Sequence, residues 1–122
     1  MIRFSPTTLA VLLTLIAAPA LADNAKRIVT KAEFVKSVTE RPLSSGMGQV
    51  TIHADGTASG RAGPIKISGV WHWRGGLFCR YMVVAGNKTK PDCQVVKVSG
   101  NGKILLFVAN QGNGKTKRYK FK

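Results

Sequence analysis

Residues 64–84 read PIKISGVWHWRGGLFCRYMVV, and the fold turns on how this stretch is read. Ile65, Ile67, Trp71 and Trp73 recur at a period of two, which is the period of a β-strand with one buried face. Gly75-Gly76 interrupts the pattern, and Leu77–Val84 resumes it as a second β-rich run. Toward the N-terminus, Gln49–Ala54 alternates with Val50 and Ile52 in phase, Asp55-Gly56 is a hairpin turn signal, and Thr57–Ala62 returns. Toward the C-terminus, Gln94–Val98 is β-rich and Gly100-Asn101-Gly102 leads into the nearly all-apolar Lys103–Ala109. Asn110–Gly114 then precedes Lys115–Lys122, where Tyr119 and Phe121 share a face. About seven short strands at regular spacing predict a mainly β fold, a small antiparallel meander barrel or curved sheet.

One helix is expected, near the N-terminus of the folded part. Thr30-Lys31-Ala32-Glu33 matches a capping box, and the helix should end before Pro42. Ala32, Val35 and Val38 are predicted to share its apolar face, with Phe34 beside them. A helix this short must lean on the sheet to be stable.

The first 22 residues have a different character. Met1-Ile2-Arg3 is a short positive region, Leu9–Ala18 is an uncharged apolar run of ten, and Ala20-Leu21-Ala22 is a small-x-small cleavage pattern. This order of parts predicts a cleaved signal peptide over 1–22, and the apolar run is too short to be a span. Residues 23–122 then form a single domain. Arg3 leaves with the signal, so 18 of 19 basic residues face all five acids, a formal +13. Such one-sided charge draws a protein toward anionic surfaces.

Both cysteines, Cys79 and Cys93, fall in the exported part. An even count in that compartment favours a disulfide. Ala85–Pro91 reads as the turn of a hairpin, and symmetry about Gly86 sets positions 79 and 93 opposite each other, within disulfide reach. A redox pair would favour Cys-x-x-Cys, and two cysteines with distant histidines make no zinc pattern, so no metal or cofactor is expected.

No constellation declares a reaction. Ala109–Thr116, ANQGNGKT, approaches a phosphate-binding loop, but its first glycine is Ala109 and the following KTKRYKFK alternates like a strand where a helix is required. His53 and Asp55 could share a strand face, and no serine sits in a nucleophile elbow. The indoles of Trp71 and Trp73 point one way and His72 the other. They fill the core, each N–H needing a partner, or with Arg80 form an aromatic platform at the barrel mouth. Along the last strand Arg118, Lys120 and Lys122 share a face opposite Lys117, and Lys88, Lys90 and Lys115 add charge nearby in sequence. These seven are the candidate anion-binding residues.

The run ADG…SG…ISGVWHWRGGLFCRYMVV…PDCQVV after KAEFV resembles a family of small exported proteins of Gram-negative bacteria, with a W-x-W-x-x-G-x-x-C-R core and a later D/N-C-Q. The resemblance spans about residues 28–122. Members are often labelled dihydrodipicolinate reductase, a label without motif support here: there is no G-x-G-x-x-G between a strand and a helix and no βαβ alternation. The resemblance implies a periplasmic location and a Cys79–Cys93 bridge, and carries over no active site.

The expected function is therefore a non-enzymatic periplasmic protein that binds an anionic partner, such as lipopolysaccharide, anionic lipid or an acidic protein, through its basic surface. The alternatives are a lipocalin-like carrier of a small apolar ligand, with a cavity lined by Trp71, Trp73 and Phe107, or an inhibitor of a secreted enzyme. No sequence-specific nucleic-acid partner and no transmembrane segment are expected.

Overall fold

The computed structural model describes residues 24–122, and the signal segment read over 1–22 lies outside the described residues. Ten strands follow in chain order: β1 Lys26–Ile28, β2 Leu43–Ser45, β3 Gly48–Ile52, β4 Thr57–Ala62, β5 Ile65–Arg74, β6 Leu77–Val84, β7 Asn87–Lys88, β8 Asp92–Val98, β9 Ile104–Val108 and β10 Thr116–Phe121. The one α-helix, α1, spans Lys31–Ser37 between β1 and β2. Every pairing is antiparallel, and β10 pairs back onto β2, so eight strands close into a barrel: β2 through β6, then β8, β9 and β10. Closure removes the exposed sheet edges that an open curved sheet would leave.

The two strands outside the barrel patch its seam. Strand β8 offers one edge to β6 over Asp92–Gln94 and to β1 over Val96–Val98. Strand β7 covers the far end of β6. The β6–β7 turn is only Ala85-Gly86, with φ of 51° and 82°, a tight turn with both central residues left-handed. From Val83↔Lys88 to Arg80↔Asp92, three steps on β6 match four on the other strand. The extra residue is a bulge beside Pro91, which has no N–H to give. The long turn expected over Ala85–Pro91 is thus a two-residue turn, a short strand and a bulge. Past the bulge the register restores Cys79 opposite Cys93, and the two are disulfide-bonded. A closed loop of this size is worth roughly 3 kcal/mol on the chain-entropy account.

Helix α1 starts where the capping box places it, with Glu33 N–H donating to Thr30 Oγ1 at 3.2 Å. Its buried face differs from expectation. Phe34 and Val38, four apart, are fully buried, whereas Ala32 is exposed. Phe34 takes the inward position, where its ring packs against Trp71, Trp73 and Phe78 and buries far more apolar surface than the Ala32 methyl could. Among the described residues no helix is long and apolar enough to cross a membrane.

Candidate functional site

The barrel interior has two unlike halves, with Phe78 between them. Below it, α1 closes one end. The Phe34 ring lies 5.1 Å, centroid to centroid, from Trp71, Trp73 and Phe78 alike. Both indole N–H groups are satisfied: Trp71 Nε1 donates to the His53 carbonyl at 2.8 Å and Trp73 Nε1 to the Val29 carbonyl at 3.1 Å. Above Phe78 lies a cavity of about 210 Å³ that opens at the end carrying the β2–β3 and β4–β5 turns. Val50, Ile52, Ile67, Met82, Phe107 and Tyr119 form its apolar wall.

The cavity exists because the inward positions of β4 are small. Ala58 and Ala62 line it, and Gly60 stands between them opposite Val50. A Cβ on Gly60 would collide with the Gln49 carbonyl oxygen, so glycine here serves both the sharp bend of the wall and the space inside. The void is walled mostly by apolar side chains and is open at one end.

Few polar groups enter this space. Gln94 is buried and donates from Nε2 to Asp92 Oδ2 at 2.9 Å. The Asp92 carboxylate also accepts the Asn110 N–H at 3.1 and 3.3 Å. Arg80, half-buried on the cavity wall, faces Asp92 across the β6–β8 ladder. Yet among the described residues no carboxylate comes within 4.0 Å of its guanidinium, the only such ion pair being His53 with Glu40. Lys117 stands at the rim, on the same strand face as Tyr119. The site is therefore a greasy pocket with one cation in its wall and another at its mouth.

Closure separates residues that the sequence groups together. Trp71 is the β5 partner of Arg80, but both indoles pack around Phe34 in the closed half, so of Trp71, Trp73 and Arg80 only Arg80 lines the cavity. The cavity expected around Trp71, Trp73 and Phe107 is lined by Phe107 alone of the three. The seven basic candidates divide as well. Lys117 faces the cavity, whereas Arg118 and Lys120 are exposed on the outer face of β10. Lys122, just beyond β10, donates to Gln49 Oε1 at 3.1 Å. Lys115 lies at the entry to β10. Lys88, with its ammonium 4.1 Å from the Tyr81 ring centroid, and Lys90 belong to the β7 side, separated from β10 by β8 and β9. The phosphate-loop look-alike is a left-handed turn, with positive φ at Asn110, Gln111 and Gly112, and it leads into β10 and not a helix.

A side-chain chain that the sequence did not reveal lies near the closed end. His53 Nδ1 is 3.0 Å from Glu40 Oε2 and its Nε2 is 2.8 Å from Ser59 Oγ. Glu40 Oε1 accepts the Ala54 N–H at 2.9 Å. The His53 bond, and then the Ala54 N–H, hold the Glu40 carboxyl below its ordinary range. Asp55 does not partner His53: it caps its own turn through the Thr57 hydroxyl and N–H, which hold its carboxyl low too. The order Ser-His-Glu matches a nucleophile, its base and an orienter. Ser59, however, sits mid-strand between Thr51 and Ser68, where the backbone amides serve the ladders and none is free to hold an oxyanion. The chain acts as a strap from the α1–β2 connection to the β3–β4 hairpin.

Comparisons with protein-family models, with curated proteins and with solved structures each return no match.

Proposed function

We propose that this domain is a non-enzymatic periplasmic carrier of a small amphipathic anion. The apolar part of the ligand occupies the open half of the barrel, and its anionic head meets Arg80, with Lys117 at the rim. The observation that carries this reading is an apolar cavity of about 210 Å³ whose wall holds a half-buried arginine with no carboxylate partner among the described residues. An arginine presents a planar fork that matches a carboxylate or phosphate, and in a half-buried setting the pairing is less screened than on the surface. The signal-like N-terminus, and the resemblance to small exported proteins, support a location outside the cytoplasm. The excess of positive charge over the chain supports an anionic cargo over a neutral one.

The test compares three ten-carbon probes by calorimetry: decanoate, decanol and decyltrimethylammonium. Decanoate should bind, and Arg80→Gln should weaken it by about tenfold or more, the scale of a charge-assisted hydrogen bond. Decanol should bind more weakly and be indifferent to the substitution. Equal binding of all three, or none, removes the reading.

A further inference from the structure

We infer that the open end of the barrel is a docking face for a bilayer containing anionic phospholipid. The inference concerns the outer surface; it rests on the carrier reading only for the idea that cargo enters or leaves where the barrel docks.

The hairpins of an up-and-down barrel alternate between its two ends, so its topology sorts the surface. The open end carries the β2–β3, β4–β5 and β6–β7 turns and the left-handed loop before β10. Two aliphatic side chains project there with nothing over them. Met47 at the β2–β3 tip is 76% exposed and Ile65 beside the β4–β5 tip is 41% exposed. They sit on neighbouring hairpin tips, since Gly48 beside Met47 lies against Ala62, and Ala62 is the β4 partner of Ile65. Both stand at the rim of the cavity mouth, which suits partial insertion into a lipid interface.

The same rim is cationic. Arg61 and Lys66 pair across the β4–β5 hairpin, Lys88 and Lys90 follow the β6–β7 turn, and Lys115 and Lys117 open β10. Among the described residues the one acid at this end, Asp92, lies inside and is held by Gln94 and Asn110. The remaining described acids, Glu33, Glu40 and Asp55, lie at the helix end. Cations ringing two exposed aliphatic tips, with no carboxylate among them, complement an anionic headgroup layer over an acyl interior. The helix end is also basic and exposes Val29, with Val70 on β5 opposite Thr57, but its acids are interleaved with its lysines.

Flotation with vesicles of phosphatidylglycerol in phosphatidylcholine, across a salt series, tests this on the oxidised domain. Two variants break the open end: Met47→Asp with Ile65→Asp, and Lys66, Lys88, Lys90 and Lys115 all to Gln. A control removes the same number of cations from the helix end, with Lys26, Lys31, Lys36 and Lys103 changed to Gln. Each lysine near an anionic surface is worth about fivefold in partitioning, so either open-end variant should cost at least about tenfold. The control should cost clearly less, and pure phosphatidylcholine should not bind. Circular dichroism of each variant secures the fold. Equal losses from the two ends would mean that the attraction is generic charge, and the inference would fall. Arg80→Gln separates the two readings: it should spare flotation while weakening decanoate.

Discussion

The two halves of this barrel are built from the same strands and differ in what stands inside them. In the closed half, β5 contributes Trp71 and Trp73, β6 contributes Phe78, and α1 inserts Phe34 among them. In the open half, the facing positions of β4 are Ala58, Gly60 and Ala62, and the space they leave stays unfilled. Aromatic stacking with every indole N–H satisfied makes a rigid plug. Small residues opposite Ile67, Met82 and Val84 make a container. On the proposed carrier reading, stability and binding fall to different ends, so substitutions should separate them.

The largest effect is expected in the closed half. Phe34 has no exposed surface and touches both indoles and Phe78. Phe34→Ala should cost about 3–5 kcal/mol, a large share of the about 5–15 kcal/mol that holds a domain. Denaturant unfolding followed by tryptophan fluorescence reads this directly. A loss under about 1 kcal/mol would mean that α1 rests on the barrel without plugging it, and the distinction between the halves would blur.

A smaller effect on stability, with a large one on binding, is expected in the open half. Ala62 lines the cavity near its mouth. Ala62→Leu adds side-chain volume where there is room for it, so its cost should stay within about 1 kcal/mol, against the 1–3 typical of overpacking a full core. Decanoate binding should fall by about tenfold or more. If stability drops as far as binding does, the cavity closes on itself in solution and the contrast between the halves fails.

What the sequence revealed follows the same division. The closed half was legible in part: alternation set both indoles on one face, and the core reading required a partner for each N–H, which the structure supplies from the His53 and Val29 carbonyls. The Cys79–Cys93 register was legible because it depends on one hairpin, even though a bulge lies within it. The open half was not. Ala58, Gly60 and Ala62 read as an ordinary strand until the β10–β2 pairing closes the barrel and brings Phe107 and Tyr119 to the same cavity. The short strands β1, β2 and β7, with sequences KRI, LSS and NK, hold too few residues for any period to show. The segregation of Lys117 from Arg118 was visible as alternation, but which face met a cavity was not. That Ala32 is exposed shows the helix face resolving in favour of Phe34 and Val38, a pair four apart.

The Glu40–His53–Ser59 strap was hidden for a further reason. It needs the chain to reverse at Glu40, whose φ of 64° is uncommon for a residue other than glycine. The Glu40 N–H bonds the Ile52 carbonyl at 2.8 Å while the carboxylate takes the Ala54 N–H and His53, so both ends of the residue are tied to the β3–β4 hairpin. These bonds draw the folded-state pKa of Glu40 below the ordinary 4.5. A depressed carboxylate stabilises the fold above its unfolded pKa, and that contribution is lost as pH falls through the folded value. Below pH 4.5 the protein should therefore lose stability in a step to which Glu40 contributes, and Asp55 adds a parallel step below its ordinary 3.8. Glu40→Gln keeps the shape and removes the titration, so its stability curve should be flatter in this acid range and somewhat lower at pH 7. Because Glu40 is exposed, the change should be the smallest of those expected here, and decanoate affinity at pH 7 should stay as it is. An unchanged acid limb in the variant would show that solvent satisfies the carboxylate as well as the strap does. The loop between α1 and β2 would then be held by the Glu40 N–H, the Thr39 and Arg41 bonds to the helix carbonyls of Val35 and Ser37, and the burial of Val38 and Leu43.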